Sequence, residues 1–179
     1  MTVRELSEIS NLSPAARELV RDDSTPAAYL ASLEQQKLYQ DAIRFQAHKM
    51  SIEAGIKWAA GCAREMQPAD RKEKKDEALE ASERWIEAPG DAARRQAKEA
   101  ADGETASGST KLLAMGVFMS GGSITPPGSP EVNPPPYSGQ KLIAGSILVS
   151  VVGDQPDKSA ERYQRALAMG KTLDQPGKQ

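Results

Sequence analysis

The sequence is poor in cysteine, histidine and aromatic residues. One cysteine in 179 residues, Cys62, excludes a disulfide within the chain, and one histidine, His48, excludes a metal site built from two histidines. Two tryptophans, four tyrosines and two phenylalanines leave a core dominated by alanine, leucine and methionine, which favours packed helices over sheets. We expect Trp58 and Trp85 to be core residues, and we predict neither a metal nor a cofactor.

Excess charge of one sign and long apolar runs are also missing. The net charge is −2 and the isoelectric point is about 5.6, which argues against binding to a nucleic-acid backbone. The N-terminal residues contain no apolar run of the signal-peptide type. The most apolar stretch, Leu142–Val152, is far shorter than the about 20 residues of a membrane span. We therefore expect a cytoplasmic protein with no membrane insertion and no nucleic-acid partner.

Start signals for helices recur along the chain. Ser13-Pro14 and Thr25-Pro26 each combine an N-capping side chain with proline at the first helical position, and Ser51 precedes a strongly apolar helical pattern. These signals predict helices near 14–21, 26–35 and 52–67. Further helices are predicted near 36–49, 70–88, 91–101, 111–120, 139–153 and 157–170.

The predicted fold is all-α, a compact antiparallel array of about eight helices with a proline-rich connection at 123–138. We expect a single helical domain at 1–171, followed by a flexible tail at 172–179. A strand is the competing interpretation for the β-branched residues near 147–152. We prefer a helix there, because no second convincing strand exists to pair with it.

Motifs for catalysis are incomplete. Gly170-Lys171-Thr172 has the end of a phosphate-binding loop, but position 165 is arginine where that motif needs glycine, so Gly170 is predicted to end a helix. The helical neighbours of His48 are Lys37, Asp41 and Arg44, which predicts a solvated surface histidine. Cys62 lies on an apolar helix, where a thiol is usually an inert part of the core. We assign no catalytic residue.

The proline-rich segment 123–138 is the most unusual feature of the chain. It contains half of the twelve prolines, and their missing N–H groups block a helix. Two compatible interpretations are open: a stiff extended strip that binds a partner, and a loop that covers the core with Ile124, Val132 and Tyr137 packed inward. The candidate partner contacts are Pro126, Pro127, Pro134, Pro135, Pro136 and Tyr137.

Several stretches resemble an uncharacterised bacterial domain family. They are Phe118–Pro127 (FMSGGSITPP), Pro134–Pro136, Ala144–Leu148, Tyr39–His48 and Trp58-Ala59, and together they span about residues 10–153. Members of this family are similar to small all-helical proteins without an assigned enzymatic activity, and some are encoded near type VI secretion genes. The resemblance implies a helical protein of that kind and transfers no catalytic residue.

Three hypotheses for the function follow. The first is a non-enzymatic interaction module, an adaptor or chaperone whose protein partner is an effector or component of a type VI secretion system. The second is an immunity-type inhibitor of a toxin. The third is an enzyme whose site is assembled from scattered residues such as His48, Asp41 and Glu53.

Overall fold

All regular structure in the described part of the chain is helical. A computed structural model describes residues 1–67, 74–103, 105–106, 108–153 and 158–174, and these ranges contain ten helices and no strand. The helices are α1 (Val3–Ile9), α2 (Pro14–Glu18), α3 (Pro26–Gln35), α4 (Tyr39–Lys49), α5 (Ile52–Met66), α6 (Glu77–Glu87), α7 (Asp91–Asp102), α8 (Gly108–Phe118), α9 (Ser138–Val152) and α10 (Ser159–Leu173). The all-α prediction is confirmed, with slightly more helices than the eight expected.

The first helix, α1, was not predicted, although its sequence contains a local start signal. Thr2 and Glu5 form a capping box, in which the Thr2 side chain accepts from the Glu5 N–H and the Glu5 carboxylate accepts from the Thr2 N–H. The predicted starts of α2, α3 and α5 are confirmed. Ser13, Thr25 and Ser51 accept hydrogen bonds of 3.2–3.3 Å from the N–H groups three residues later.

The core lies where α5, α8 and α9 meet. α9 packs against α8, α5, α4 and α10, so the apolar stretch near 147–152 is a helix and not a strand. Trp58 on α5 is completely buried, and its Nε1–H donates to the carbonyl oxygen of Ala166 on α10 at 2.7 Å. Trp85 is buried too, which confirms that both tryptophans are core residues. No helix in the described ranges is long and apolar enough to cross a membrane.

Small residues let α8 and α9 approach closely. A Cβ atom on Gly139 would lie 2.8 Å from Cδ1 of Ile52 and 3.3 Å from the carbonyl oxygen of Met119. The Ser146 hydroxyl is buried and donates to the carbonyl oxygen of Ser109 at 2.8 Å. This packing holds α9 against the core and leaves its other side to the solvent.

The prediction that Gly170 ends a helix is wrong. Gly170 is buried inside α10, where an added Cβ would lie 2.7 Å from Cε2 of Trp58. The missing side chain of Gly170 therefore leaves room for the indole ring. No local sequence pattern reveals this contact. The helix continues through Thr172 and Leu173 into the predicted tail, and residues 175–179 lie outside the described ranges.

Candidate partner-binding cleft

The first half of the proline-rich segment is a closed loop and not an extended strip. The N–H of Ile124 donates to the carbonyl oxygen of Val132 at 2.8 Å, and the Thr125 hydroxyl donates to the carbonyl oxygen of Pro130 at 2.8 Å. Gly128 turns the chain with a φ of +84°. Val132, predicted to pack inward, is 49% exposed, because its backbone and not its side chain closes the loop.

Two arginines of α7 hold this loop at its base. Arg94 is buried, and its guanidinium donates to the carbonyl oxygens of Phe118 at 2.6 Å and Ser123 at 2.7 Å. Arg95 donates to the carbonyl oxygen of Thr125 at 3.0 Å. Both also donate to Asp91, and these hydrogen bonds hold the pKa of the Asp91 carboxyl below its usual value. The loop is thus anchored to α7 by charged groups.

The second half of the segment leads directly into α9. Pro135 and Pro136 are exposed, Pro134 is half-buried, and the N–H of Ser138 donates to the carbonyl oxygen of Pro135 at 3.2 Å. Tyr137 precedes the first turn of α9 in the left-handed conformation, with a φ of 60°. This conformation sets the half-buried Tyr137 ring with its centroid 6.0 Å from that of the His48 ring.

A cleft of about 770 Å³ lies where α1, α4, α9 and the end of the proline-rich segment meet. Apolar and charged side chains share its walls, a mixture typical of ligand and peptide sites. It is lined by Glu8, Ile9, Ser10, Asn11, Arg44, His48, Pro136, Tyr137, Lys141, Ala144, Gly145 and Leu148. Two of the six predicted partner contacts, Pro136 and Tyr137, therefore line this cleft. Pro126 and Pro127 are exposed on the closed loop.

His48 lines this cleft. The prediction that it is a solvated surface histidine is wrong. Its exposure is only 6%, because α9 packs against α4 and the Tyr137 ring lies close to the imidazole. Nδ1 lies 2.8 Å from the carbonyl oxygen of Arg44. A carbonyl oxygen only accepts, so Nδ1 carries the proton and Nε2 carries a lone pair. Nε2 is buried and has no hydrogen-bond partner within the described ranges.

Burial also determines the charge of His48. Desolvation lowers its pKa and outweighs the hydrogen bond to the Arg44 carbonyl oxygen, which raises it; the positive charge of Lys141 lowers the pKa a little further. The imidazole is therefore neutral at physiological pH. The neutral ring therefore adds no positive charge to the cleft, and its one acceptor nitrogen, Nε2, is buried.

Carboxylates neutralise only part of the positive charge of Arg44 and Lys141 in the cleft. Nη1 of Arg44 forms an ion pair with Oδ1 of Asp41 at 3.7 Å, which is too long for a hydrogen bond, and Asp41 accepts its hydrogen bonds from the N–H and hydroxyl of Ser13 at 2.8 and 2.9 Å. Lys141 is exposed and makes no ion pair with any residue that the structure describes. Among the described residues that line the cleft, Glu8 on α1 is the one carboxylate. With His48 neutral, the described lining residues thus include two cations and one carboxylate, and the Asp41 carboxylate beside Arg44 offsets part of this excess.

The scattered residues proposed for an enzyme do not come together. Asp41 is buried and bonded to Ser13, and Glu53 is exposed in the first turn of α5; neither lines the cleft with His48. Cys62 is buried, and burial raises the pKa of its thiol to about 12, which confirms an inert core cysteine. Within the described ranges, no three histidine, cysteine, aspartate or glutamate side chains are grouped to hold a metal ion.

Arg44 and Lys141 were not predicted as site residues. They lie on different helices, α4 and α9, and no spacing in the sequence relates them. The cleft residues on α1 were not predicted either, because α1 itself was not predicted. The Thr2-x-x-Glu5 pattern was a usable signal for the start of that helix.

Comparison with known proteins places the chain in a family. No curated protein and no solved structure matches it. The model of a family of unknown function (DUF6931) matches residues 29–173, which include α4, the proline-rich segment and α9, whereas α1 precedes the matched region. The expected resemblance to an uncharacterised domain family is confirmed: the chain belongs to the family of unknown function DUF6931.

Proposed function

We propose that this chain is a non-enzymatic protein-binding module of the cytoplasm, an adaptor or chaperone that holds a segment of a partner in the cleft. The observation that carries the proposal is the cleft itself, with exposed prolines at its rim and apolar and cationic side chains on its walls. Pro135 and Pro136 have little backbone freedom to lose, so binding beside them costs little conformational entropy.

The proposal assigns no catalytic residue to the cleft. Ser10 lines the cleft and has a hydroxyl of the kind that acts as a nucleophile in enzymes. Its Oγ–H donates to the carbonyl oxygen of Leu6 at 2.6 Å. That bond uses the proton that a general base would have to remove. The cleft has side chains that can hold a partner but no activated nucleophile, which favours binding over catalysis. Binding of this kind needs no cofactor.

We infer that the partner is an effector or component of a bacterial type VI secretion system. This inference is supported by the resemblance of Phe118–Pro127 and Tyr39–His48 to a family with members encoded near such genes. An immunity-type inhibitor is less well supported, because inhibitors of that kind often present concentrated acidic charge. The cleft here is positive, and carboxylates such as Glu83 and Asp102 are paired with Arg64 and Lys98.

The test compares wild type with one cleft variant and one control in the native cell. Tyr137→Asn removes the ring while keeping a residue that tolerates the left-handed conformation. Lys57→Glu changes an exposed lysine of α5 that does not line the cleft. Tagged proteins would be captured after cross-linking, and their partners quantified by mass spectrometry.

We expect wild type and Lys57→Glu to recover the same secretion-system proteins. Tyr137→Asn should recover them at about a tenth of that level, as expected for the loss of an aromatic contact at the centre of an interface. Equal melting temperatures would show that folding is unaffected. Recovery of no secretion-system protein, or equal recovery by Tyr137→Asn, would contradict the proposed function.

A further inference from the structure

One side of α9 faces the solvent and is apolar beyond Lys141. Lys141, Gly145, Leu148 and Val152 follow one another at helical spacing on this side, with Val149 beside them. Val149 and Val152 are each 44% exposed, and Leu148 is half-buried. We call these five residues the α9 stripe. Its first members also line the cleft, so the cleft and the stripe form one continuous surface.

The two ends of this surface differ in chemistry. Lys141 and the nearby wall residue Arg44 make the first end positive, whereas Val149 and Val152 make the far end apolar. The length from Lys141 to Val152 is about 16 Å at the rise of an α-helix. That length accommodates three turns of a helical segment or about five residues of an extended one.

We propose that the cleft and the α9 stripe together bind an acidic–apolar segment of a partner protein. In this arrangement a carboxylate of the partner pairs with Lys141 and Arg44, and aliphatic or aromatic side chains of the partner cover Leu148, Val149 and Val152. The inference rests on the proposed function and adds the chemistry of the segment that is recognised. Charge complementarity selects this occupant, because Lys141 has no ion pair among the described residues and Arg44, 3.7 Å from Asp41, donates no side-chain hydrogen bond to any of them.

A second copy of the chain is a poorer occupant. A two-fold pairing of α9 with its copy is either antiparallel, which sets Lys141 against the Val152 end of the other copy, or parallel, which sets Lys141 against Lys141. The α9 stripe contains no carboxylate, so neither pairing supplies one to the cations. The partner segment is therefore expected to come from a different protein.

The experiment uses a displayed library of random twelve-residue peptides as the probe. It is selected against the full chain and three variants: Lys141→Glu, the double variant Val149→Ser/Val152→Ser, and the control Lys57→Glu. All the changed residues are exposed, so circular dichroism and melting temperature should be unchanged. The affinity of each enriched peptide is then measured by fluorescence anisotropy.

We expect the enriched peptides to contain aspartate or glutamate together with aliphatic or aromatic residues. Lys141→Glu should weaken their binding about ten-fold, and the double serine variant by a similar factor. The control should bind within about two-fold of wild type. Changing the acidic residue of an enriched peptide to lysine should restore its binding to Lys141→Glu.

Several results would overturn this inference: no enriched peptide, enriched peptides without acidic residues, or binding that Lys141→Glu leaves unchanged. Dimerisation through the stripe, seen as a size change that the double serine variant abolishes, would do the same. The library contains no cellular partner, so the outcome is independent of the capture experiment. Acidic–apolar peptides that bind while no secretion protein is captured would overturn the proposed function and leave the chemistry of the cleft standing.

Discussion

At the scale of single residues, the contact between Gly170 and Trp58 sets how α10 packs on α5. The indole ring occupies the space that a Cβ on residue 170 would fill, and its Nε1–H is bonded to the carbonyl oxygen of Ala166 one turn earlier. The ring is therefore held at two points along the same helix. A glycine in the interior of a helix usually costs stability, and here close packing compensates for that cost.

Gly170→Ala tests this contact. The added methyl group would lie 2.7 Å from Cε2 of Trp58, so we expect a net loss of about 1–3 kcal/mol in the free energy of unfolding, measured by urea denaturation. The matched control is Gly145→Ala in α9, where the new Cβ would meet Cδ1 of Leu112 at an ordinary 3.5 Å. That variant should be up to about 1 kcal/mol more stable than wild type, because alanine favours helix. Similar effects of the two changes would contradict the packing role.

His48 gives the protein a pH dependence of stability with a definite sign. Burial lowers its pKa in the folded state below the ordinary 6.5, so at lower pH the unfolded chain binds a proton that the folded chain does not. The stabilisation is fully present above pH 6.5 and is lost as the pH falls toward the folded-state pKa. As the pH falls below about 6.5, we expect the free energy of unfolding to decrease more steeply in wild type than in His48→Gln. Parallel curves for the two proteins in that range would refute the neutral, buried imidazole.

At the scale of elements, α7 works as an anchor for the proline-rich segment. Arg94 satisfies the carbonyl oxygens of Phe118 and Ser123, and its guanidinium also lies 4.9 Å from the centroid of the Phe118 ring. Gly122 passes so close that a Cβ there would lie 3.2 Å from Nη2 of Arg94. The loop that leaves α8 thus begins in one defined conformation.

Arg94→Met removes the anchor while keeping an unbranched side chain. The two carbonyl oxygens lose their donor, and we expect a loss of about 2–4 kcal/mol in the free energy of unfolding. Arg95→Met, at a more exposed arginine of the same helix, should cost about 1 kcal/mol or less. Limited proteolysis within 123–132 should accelerate in the Arg94 variant only. Equal stability losses in the two variants would exclude a special role for the buried arginine.

At the scale of the whole molecule, the features that were predicted from the sequence are those with local causes. Ser13-Pro14, Thr25-Pro26 and Ser51 begin helices through bonds that span three residues, so their sequences alone contain the signal. The apolar pattern of α5 likewise predicted its central position, and Cys62 its burial.

The cleft could not be predicted in the same way, because its parts are distant in the chain. His48 is buried by α9 and Tyr137, and the loop at 123–132 is held by Arg94 and Arg95. These contacts depend on how α4, α7 and α9 pack together, which hydrophobic periodicity does not specify. The prediction chose Pro136 and Tyr137 from composition, and it had no signal for Arg44 or Lys141.

The most direct test of the central claim is to map the bound surface by amide chemical shifts. A 19.2 kDa chain suits this measurement, with an enriched acidic–apolar peptide as the ligand. We expect shifts concentrated in residues 8–11, 44–48 and 136–152, with α6 and α7 unchanged. Shifts centred on α6 and α7, or on the loop at 123–132 alone, would contradict it.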